Sequence, residues 1–376
     1  MEFTGGGRLE VRITPSDVGK RVSVRRLSDA GAPGDRFTDT VGVLTSWDAG
    51  VLLVTRRSGE AVRIAESSLV GAKVVPAAPA RRRGPAAGFG ELARVQARGW
   101  PPVESEPLGE WTLRAAGGFT RRANSALPLG DPGLPLDAAL DRVRAWYAAR
   151  GLPAYLQAAT GAEGTQERLC AALEERGWLR EVTAEVRIGG LAPLADLASP
   201  ADLVPSADLA GLAPDASGAA RVTLSREPDE DWFRRYRRCA EPGPEVRAVV
   251  TGGPSVWFAT VPGTGGPDRA PDPVGGPADG PTTGGPADGG PAAIGRCVID
   301  GRWAGFMAVE VDPARRRQGL ATAVMAALAR QALAEGASAA WLQVETDNAP
   351  ARALHDRLGF TIHHHYHHFR APGSGT

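Results

Sequence analysis

Residues 309–321 read Val-Glu-Val-Asp-Pro-Ala-Arg-Arg-Arg-Gln-Gly-Leu-Ala, and this stretch decides how the chain is to be read. An apolar strand closes at Val311, turns at Asp312-Pro313 and enters an arginine-flanked loop interrupted by Gly319. The loop opens a helix whose inward positions are Ala323, Val324, Ala327 and Leu328. The first N–H groups of a helix have no acceptor within it, and the helix dipole adds positive potential at that end. A strand that feeds such a loop into a helix therefore builds an anion site. Gly319 lets the backbone approach a phosphate, and Ala321 keeps the first turn unobstructed. Arg315, Arg316 and Arg317 bring charge to the same point. The loop is not a Walker A sequence, since no Gly-Lys-Ser/Thr follows, nor is it a Gly-x-Gly-x-x-Gly dinucleotide turn.

The sequence that follows makes the loop specific. Gly336 suits the end of the helix, and Ala340-Trp-Leu-Gln-Val-Glu345 reads as the next strand. Then comes Asn348-Ala-Pro-Ala-Arg-Ala-Leu-His-Asp-Arg-Leu-Gly-Phe360. Arg316-x-x-Gly319-x-Ala321 resembles the acyl-CoA pyrophosphate loop of the GNAT superfamily of N-acetyltransferases. Leu342-x-Val344-x-x-x-Asn348-x-x-Ala351-x-x-Leu354-His355-x-x-x-Gly359-Phe360 resembles their second cofactor segment. These two motifs carry the match over about residues 221–370.

The resemblance implies a GNAT fold of the α/β (α+β) class and acetyl-CoA as cosubstrate, with no metal. It implies transfer of an acetyl group to a primary amine, on a small molecule or amino acid. Val309 and Val311 would offer strand-edge backbone groups to the pantetheine arm. Arg316, Arg317, Gln318, Gly319, Leu320 and Ala321 would hold the pyrophosphate, and Asn348 would orient cofactor or substrate. Glu310 and Glu345, one beside each motif, are the candidate bases for the attacking amine. His355 stands where many members carry a tyrosine that protonates the departing thiolate. An imidazole with an ordinary pKa of about 6.5 is mostly neutral under cytoplasmic conditions, so His355 either acts as a weak acid or only lines the sulfur pocket.

Composition limits the alternatives. The chain has 376 residues, enough for two or three domains, and its 43 basic and 43 acidic residues cancel. Charge balance removes any whole-chain case for nucleic acid or an anionic membrane as partner. No apolar run reaches membrane-spanning length, and the N-terminus lacks the regions of a signal peptide. Cys170, Cys239 and Cys297 are too few and too dispersed for a disulfide framework, which fits a reducing cytoplasm.

Residues 1–76 hold five short β-rich runs separated by turn material such as Asp48-Ala-Gly50 and Ser58-Gly59. So small an open sheet would expose its edges, so the expectation is a closed barrel resembling an SH3-like one. Residues 77–110 are expected to be linker, and 111–190 a mixed α/β lobe. That lobe echoes the second. Leu156-Gln-Ala158 followed by Leu173-Glu-Glu-Arg-Gly177-Trp178 parallels Leu342-Gln-Val344 followed by Leu354-His-Asp-Arg-Leu-Gly359-Phe360. Its counterpart of the anion loop, Leu129-Gly-Asp-Pro-Gly-Leu-Pro-Leu136, carries an aspartate, so the first lobe reads as a degenerate copy. Arg121, Arg122 and Asn124 within it are candidates for a substrate carboxylate.

Residues 191–220 are expected to connect the lobes, and 221–372 to form the catalytic domain with a disordered Gly/Pro-rich insertion at 262–292. The run His363-His-His-Tyr-His-His368 reads as the last strand, whose alternation separates the histidines and disfavours a shared metal. Two other functions compete with catalysis on a small molecule, where glutamate is one possible acceptor. One is a non-catalytic acyl-CoA sensor. The other is a protein acetyltransferase recruited through the barrel.

Overall fold

The computed structural model describes residues 10–27, 37–75, 85–197, 222–236, 242–263 and 290–373. Most of the expected insertion and connecting segment, the arginine run at 81–83, and Cys239 lie outside these residues. No helix among the described residues is long and apolar enough to cross a membrane.

The N-terminal module contains β1 (Arg21–Leu27), β2 (Phe37–Asp48), β3 (Val51–Thr55), β4 (Ala61–Ala65) and β5 (Leu69–Val74). They pair antiparallel in the order β4-β3-β2-β1-β5 around Val22, Val24, Leu44, Leu52, Val54 and Ile64. The expected closure does not occur: the ladder ends at β4 and β5, which a short helical turn at Glu66–Ser68 joins. The exposed-edge argument fails because the preceding chain covers β5. Arg12 N donates to Ala72 O at 2.7 Å, and Ala72 N donates to Glu10 O at 3.1 Å.

The expected linker is partly folded as well. Helix α1 (Phe89–Gly99) buries Phe89, Leu92, Val95, Gln96 and Gly99, which fall on one helical face. After it come β6 (Glu104–Leu108), β7 (Trp111–Ala115), β8 (Leu127–Pro128), α2 (Leu136–Ala148), β9 (Tyr155–Thr160), α3 (Glu167–Glu175) and β10 (Leu179–Gly190). The short α4 (Leu191–Ala195) leaves this lobe. The second lobe comprises β11 (Thr223–Ser225), α5 (Glu230–Arg235), α6 (Pro244–Thr251), β12 (Ser255–Val261), β13 (Ala293–Asp300), β14 (Trp303–Val311), α7 (Leu320–Ala334), β15 (Ala339–Glu345), α8 (Ala349–Arg357) and β16 (Thr361–Arg370).

The lobes share one eight-stranded sheet, ordered β11-β12-β13-β14-β15-β10-β16-β9. Each lobe's last strand has crossed into the other: β10 pairs with β15, and β16 pairs with β9. The antiparallel β10–β16 pair is the centre of an approximate two-fold arrangement. On one side β14 runs parallel to β15. On the other, β8 meets β9 through a parallel bridge, Ala126 to Leu156. The β6-β7-β8 meander thus answers β12-β13-β14, α2 answers α7, and α3 answers α8. The fold is a mixed α/β tandem of two like lobes. Trp232, Phe233 and Tyr236 on α5 and its C-cap are core residues, packed with Trp303 and Trp341 beneath the sheet.

Candidate active site

The cleft follows from a defect in one strand. Parallel pairing of β14 with β15 runs from Trp303–Ala339 to Phe306–Leu342 and stops there. On its other edge, β14 pairs Met307 with Arg296 but Glu310 with Ile294, so Ala308 and Val309 oppose a single residue. This is a β-bulge, which bends the strand that carries it. Ala308 has a φ of 51°, a left-handed conformation that costs an ordinary residue about 1–2 kcal/mol. Beyond the bulge the strands part around a cleft of about 310 Å³. Its walls are Phe306–Glu310 and Leu342–Glu345, with Asn348, Ala351 and His355 from α8 and Thr120–Arg122 from the first lobe.

Val309 lies in this cleft, while Val311 pairs with Ala293 at the outer end of β14 and does not line it. The loop beyond is anchored by Asp312, whose carboxylate accepts from Ala314 N at 2.9 Å and from Arg235 Nη2 at 2.6 Å. Arg317 (φ 66°) and Gly319 (φ 80°) both take left-handed conformations and curl the chain into α7. No side chain caps that helix. Arg316, Arg317, Gln318 and Gly319 are exposed, Ala321 is half-buried, and Leu320 is buried in the core. A Cβ placed on Gly319 would meet no protein atom within 4 Å, so the loop faces open space. Uncapped N–H groups, a left-handed curl and flanking guanidinium groups fit the anionic end of acetyl-CoA.

Glu310 is half-buried on one wall and Glu345 exposed on the other, and both line the cleft. Asn348 also lines it, but its amide oxygen is committed to the N-cap of α8, accepting from Ala351 N at 3.2 Å. His355 reaches the cleft from α8 with Nδ1 buried and without a hydrogen-bond partner among the described residues. Burial, followed by the positive charge of Arg187, lowers its pKa from 6.5 to about 4. The imidazole is therefore neutral near pH 7, which weighs against its serving as an imidazolium acid. Beneath it, buried Glu185 of β10 pairs with Arg187 at 2.6 Å and with Arg352 of α8 at 2.8 Å, while Arg187 reaches Asp356 at 2.6 Å. The first lobe thereby holds the helix that carries His355.

The three substrate candidates separate. Arg121 and Arg122 line the cleft, but buried Asn124 does not. Its Oδ1 accepts from the N–H groups of Ala116 and Gly118, and its Nδ2 donates to the carbonyls of Phe119 and Thr120. That expectation is corrected, because a side chain spent on four backbone bonds staples its own loop. Arg121 lies 3.4 Å from Glu181. Arg122 donates to Gln343 Oε1 at 2.7 Å and stacks 4.7 Å from the centre of the Trp100 ring.

Sequence reading missed His368, which is 3% exposed and lines the cleft with neither ring nitrogen hydrogen-bonded among the described residues. Burial and then the charges of Arg114, Arg121 and Arg122 hold its pKa well below 6.5. Only its place in the histidine run marked it, and that signal reads first as strand or metal. Among the described residues, no three His, Cys, Asp or Glu side chains converge as metal ligands. The first lobe carries a recess of about 930 Å³ lined by Glu110, Asp131, Arg94 and Arg168, with Asp131 in the stretch after β8 that answers the arginine loop.

Residues 88–369 match the family described as "Probable histone acetyltransferase Rv0428c C-terminal". The chain is 28% identical over 364 residues to "Probable histone acetyltransferase Rv0428c" of Mycobacterium tuberculosis, covering 95% of this chain and 97% of that protein. Among solved structures, a GCN5-related N-acetyltransferase from Kribbella flavida is similar at 18% identity and a TM-score of 0.48, over 77% of this chain and 97% of its own. A tandem GNAT protein from the clavulanic acid biosynthesis pathway is similar at 14% identity and a TM-score of 0.47, over 78% and 91%.

Proposed function

Since this chain belongs to the GNAT-type acetyltransferase family of the Rv0428c C-terminal region, we propose that it transfers an acetyl group from acetyl-CoA to the primary amine of a small molecule that also bears a carboxylate, an amino acid such as glutamate. The observation that carries the reading is the polarity of the cleft. Arg121, Arg122 and His368 line the cleft together with Glu310 and Glu345, and the strand that forms its Phe306–Glu310 wall runs on into the arginine-flanked loop and the uncapped start of α7.

In this reading Arg316, Arg317 and the N–H groups from Gln318 to Ala321 hold the pyrophosphate. The edge of β14 at Val309, unpaired to β15 beyond Phe306, supplies strand-like bonds to the pantetheine arm. A backbone N–H on that edge polarises the thioester carbonyl as negative charge develops on its oxygen. Glu310 takes a proton from the acceptor ammonium, directly or through water. The amine nitrogen then bonds to the carbonyl carbon, the C–S bond breaks, the nitrogen gives up its second proton to water, and the thiolate leaves to be protonated. Neutral His355 lines the sulfur side and can donate an N–H hydrogen bond, with solvent supplying the proton. Arg122 holds the acceptor carboxylate, for which a planar guanidinium is suited.

A second reading, acetylation of protein amines, is favoured by the histone acetyltransferase name of the Mycobacterium tuberculosis relative and by Glu345, exposed where a lysine side chain can meet it. Thiol release from acetyl-CoA, followed across amino acids, their amides, polyamines and lysine-rich peptides, separates the two. Turnover of the free amino acid but not of its amide supports the proposal, and turnover of peptides alone overturns it.

A further inference from the structure

The N-terminal module reaches the lobes through the β3–β4 turn, and the contact falls on the strand that carries His368. Arg57 Nη2 donates to Ile362 O at 2.5 Å and to His363 O at 3.0 Å. Thr160 Oγ1 at the end of β9 donates back to Arg57 O at 3.1 Å. Gly59 of the same turn, at φ 86°, lies so close that a Cβ there would stand 2.6 Å from the His367 ring. The His367 ring is itself held between the hydroxyls of Thr160 at 3.0 Å and Thr183 at 2.9 Å.

Arg57 meets β16 where its ladder is weakest. Pairing with β9 ends at His365–Thr160, so the β9 side of β16 is unpaired at Ile362 and His363. On the β10 side, pairing passes from His364–Val186 to Ile362–Arg187, which leaves His363 as an extra, bulged residue. A bulge leaves backbone groups unpaired, and losing it would slip the register by one residue and reverse the face of the side chains on one side of it. The guanidinium takes up carbonyls at this bulge. The phase it fixes turns Tyr366 and His368 into the acceptor end of the cleft and His367 towards the turn.

We infer that the N-terminal module is part of the catalytic unit, and that Arg57 is a positioning residue which pins the β16 bulge and so seats Tyr366 and His368 at the acceptor end of the cleft. The inference rests on the acyl-transfer reading for its kinetic consequence but not for its structural one. Nothing in the contact touches the loop at Arg316–Ala321, so acceptor and cofactor binding should respond differently.

The test compares the full-length chain with Arg57→Ala and Arg57→Lys. Loss of one charge-assisted donor to two carbonyls is expected to speed amide exchange over residues 361–366 by about tenfold, with α7 unchanged. The same variant is expected to raise the acceptor KM by about tenfold while the acetyl-CoA KM stays within about twofold, and Arg57→Lys should recover part of both effects. Unchanged exchange in β16, or acceptor and acetyl-CoA constants rising together, overturns the inference. Should the unaltered chain acetylate no amine, the acyl-transfer reading fails by itself, and the exchange measurement still decides whether Arg57 pins the strand.

Discussion

Arg122 Nη1 donates to Gln343 Oε1 across 2.7 Å, joining the first lobe to β15 of the second on the wall of the cleft. Gln343 in turn donates to Gln96 of α1 at 2.7 Å. A neutral amide thus holds the guanidinium in place without cancelling its charge, which leaves Arg122 able to take a substrate anion. Arg122→Met should raise the KM for a carboxylate-bearing acceptor by about tenfold to a hundredfold, the weight of a hydrogen bond to a charged group. Gln343→Glu should do nearly as much by pairing Arg122 internally. The comparison is kcat/KM for an amino acid against its amide, and both variants are expected to flatten the difference.

Glu310 and Glu345 occupy opposite walls, but only Glu310 is half-buried, beside the bulge at Ala308 and Val309. A base screened from water stays oriented towards a bound amine. Glu310→Gln should lower kcat by about 10²-fold or more with the acetyl-CoA KM unchanged, the range for a lost general base. Glu345→Gln should have a much smaller effect. The reverse ranking in steady-state kinetics would move the role to Glu345.

At the anion loop, Gly319→Val adds a branched side chain to a residue at φ 80° and pushes it into the open space the loop faces. The backbone strain alone is about 1–2 kcal/mol. Titration calorimetry with acetyl-CoA should show affinity weakened by about tenfold or more, with thermal stability lowered modestly. Affinity in the unaltered chain should fall as salt rises, because Arg316 and Arg317 are exposed to screening.

Burial depresses the pKa of His355 to about 4 and pushes those of His364, His365, His367 and His368 below 6.5 as well. Each is neutral in the folded chain and, below its ordinary 6.5, protonated in the unfolded one. The unfolded state then binds more protons, so the stability present above pH 6.5 is lost as pH falls towards each folded pKa. Melting temperature followed from pH 7.5 to 4.5 should drop steeply below 6.5, and His355→Phe should make the drop shallower. Between pH 6.5 and 8 the rate profile should carry no inflection from His355.

The second lobe was legible because its information is local. Alternation from Trp303 to Val311, the proline turn, Gly319 and the Asn348-to-Phe360 segment lie in order, and the strands and helices occur where they do. What escaped was non-local. The crossing of β10 and β16 depends on residues about 180 positions apart, as in the Glu185–His365 pair, and no periodicity marks it. Barrel closure was misjudged because Glu10 and Arg12, outside any strand, cover the β5 edge. α1 was read as linker because proline and arginine precede it, although Phe89, Leu92 and Val95 already form a helical face. In the site, Asn124 and His368 exchanged importance: one polar residue satisfies a loop, and a histidine of the last strand joins His355 in lining the cleft. Burial decided both, and burial is a property of the assembled lobes.

Competition in one tube decides between an amino acid and a protein as the acceptor. The full-length chain, acetyl-CoA, free glutamate and a lysine-rich histone-tail peptide at equal amine concentration are incubated together, and the acetylated products are identified by mass spectrometry. N-acetylated amino acid should dominate, and its share should collapse in Arg122→Met. Acetylated peptide as the main product, unaffected by that substitution, would contradict it.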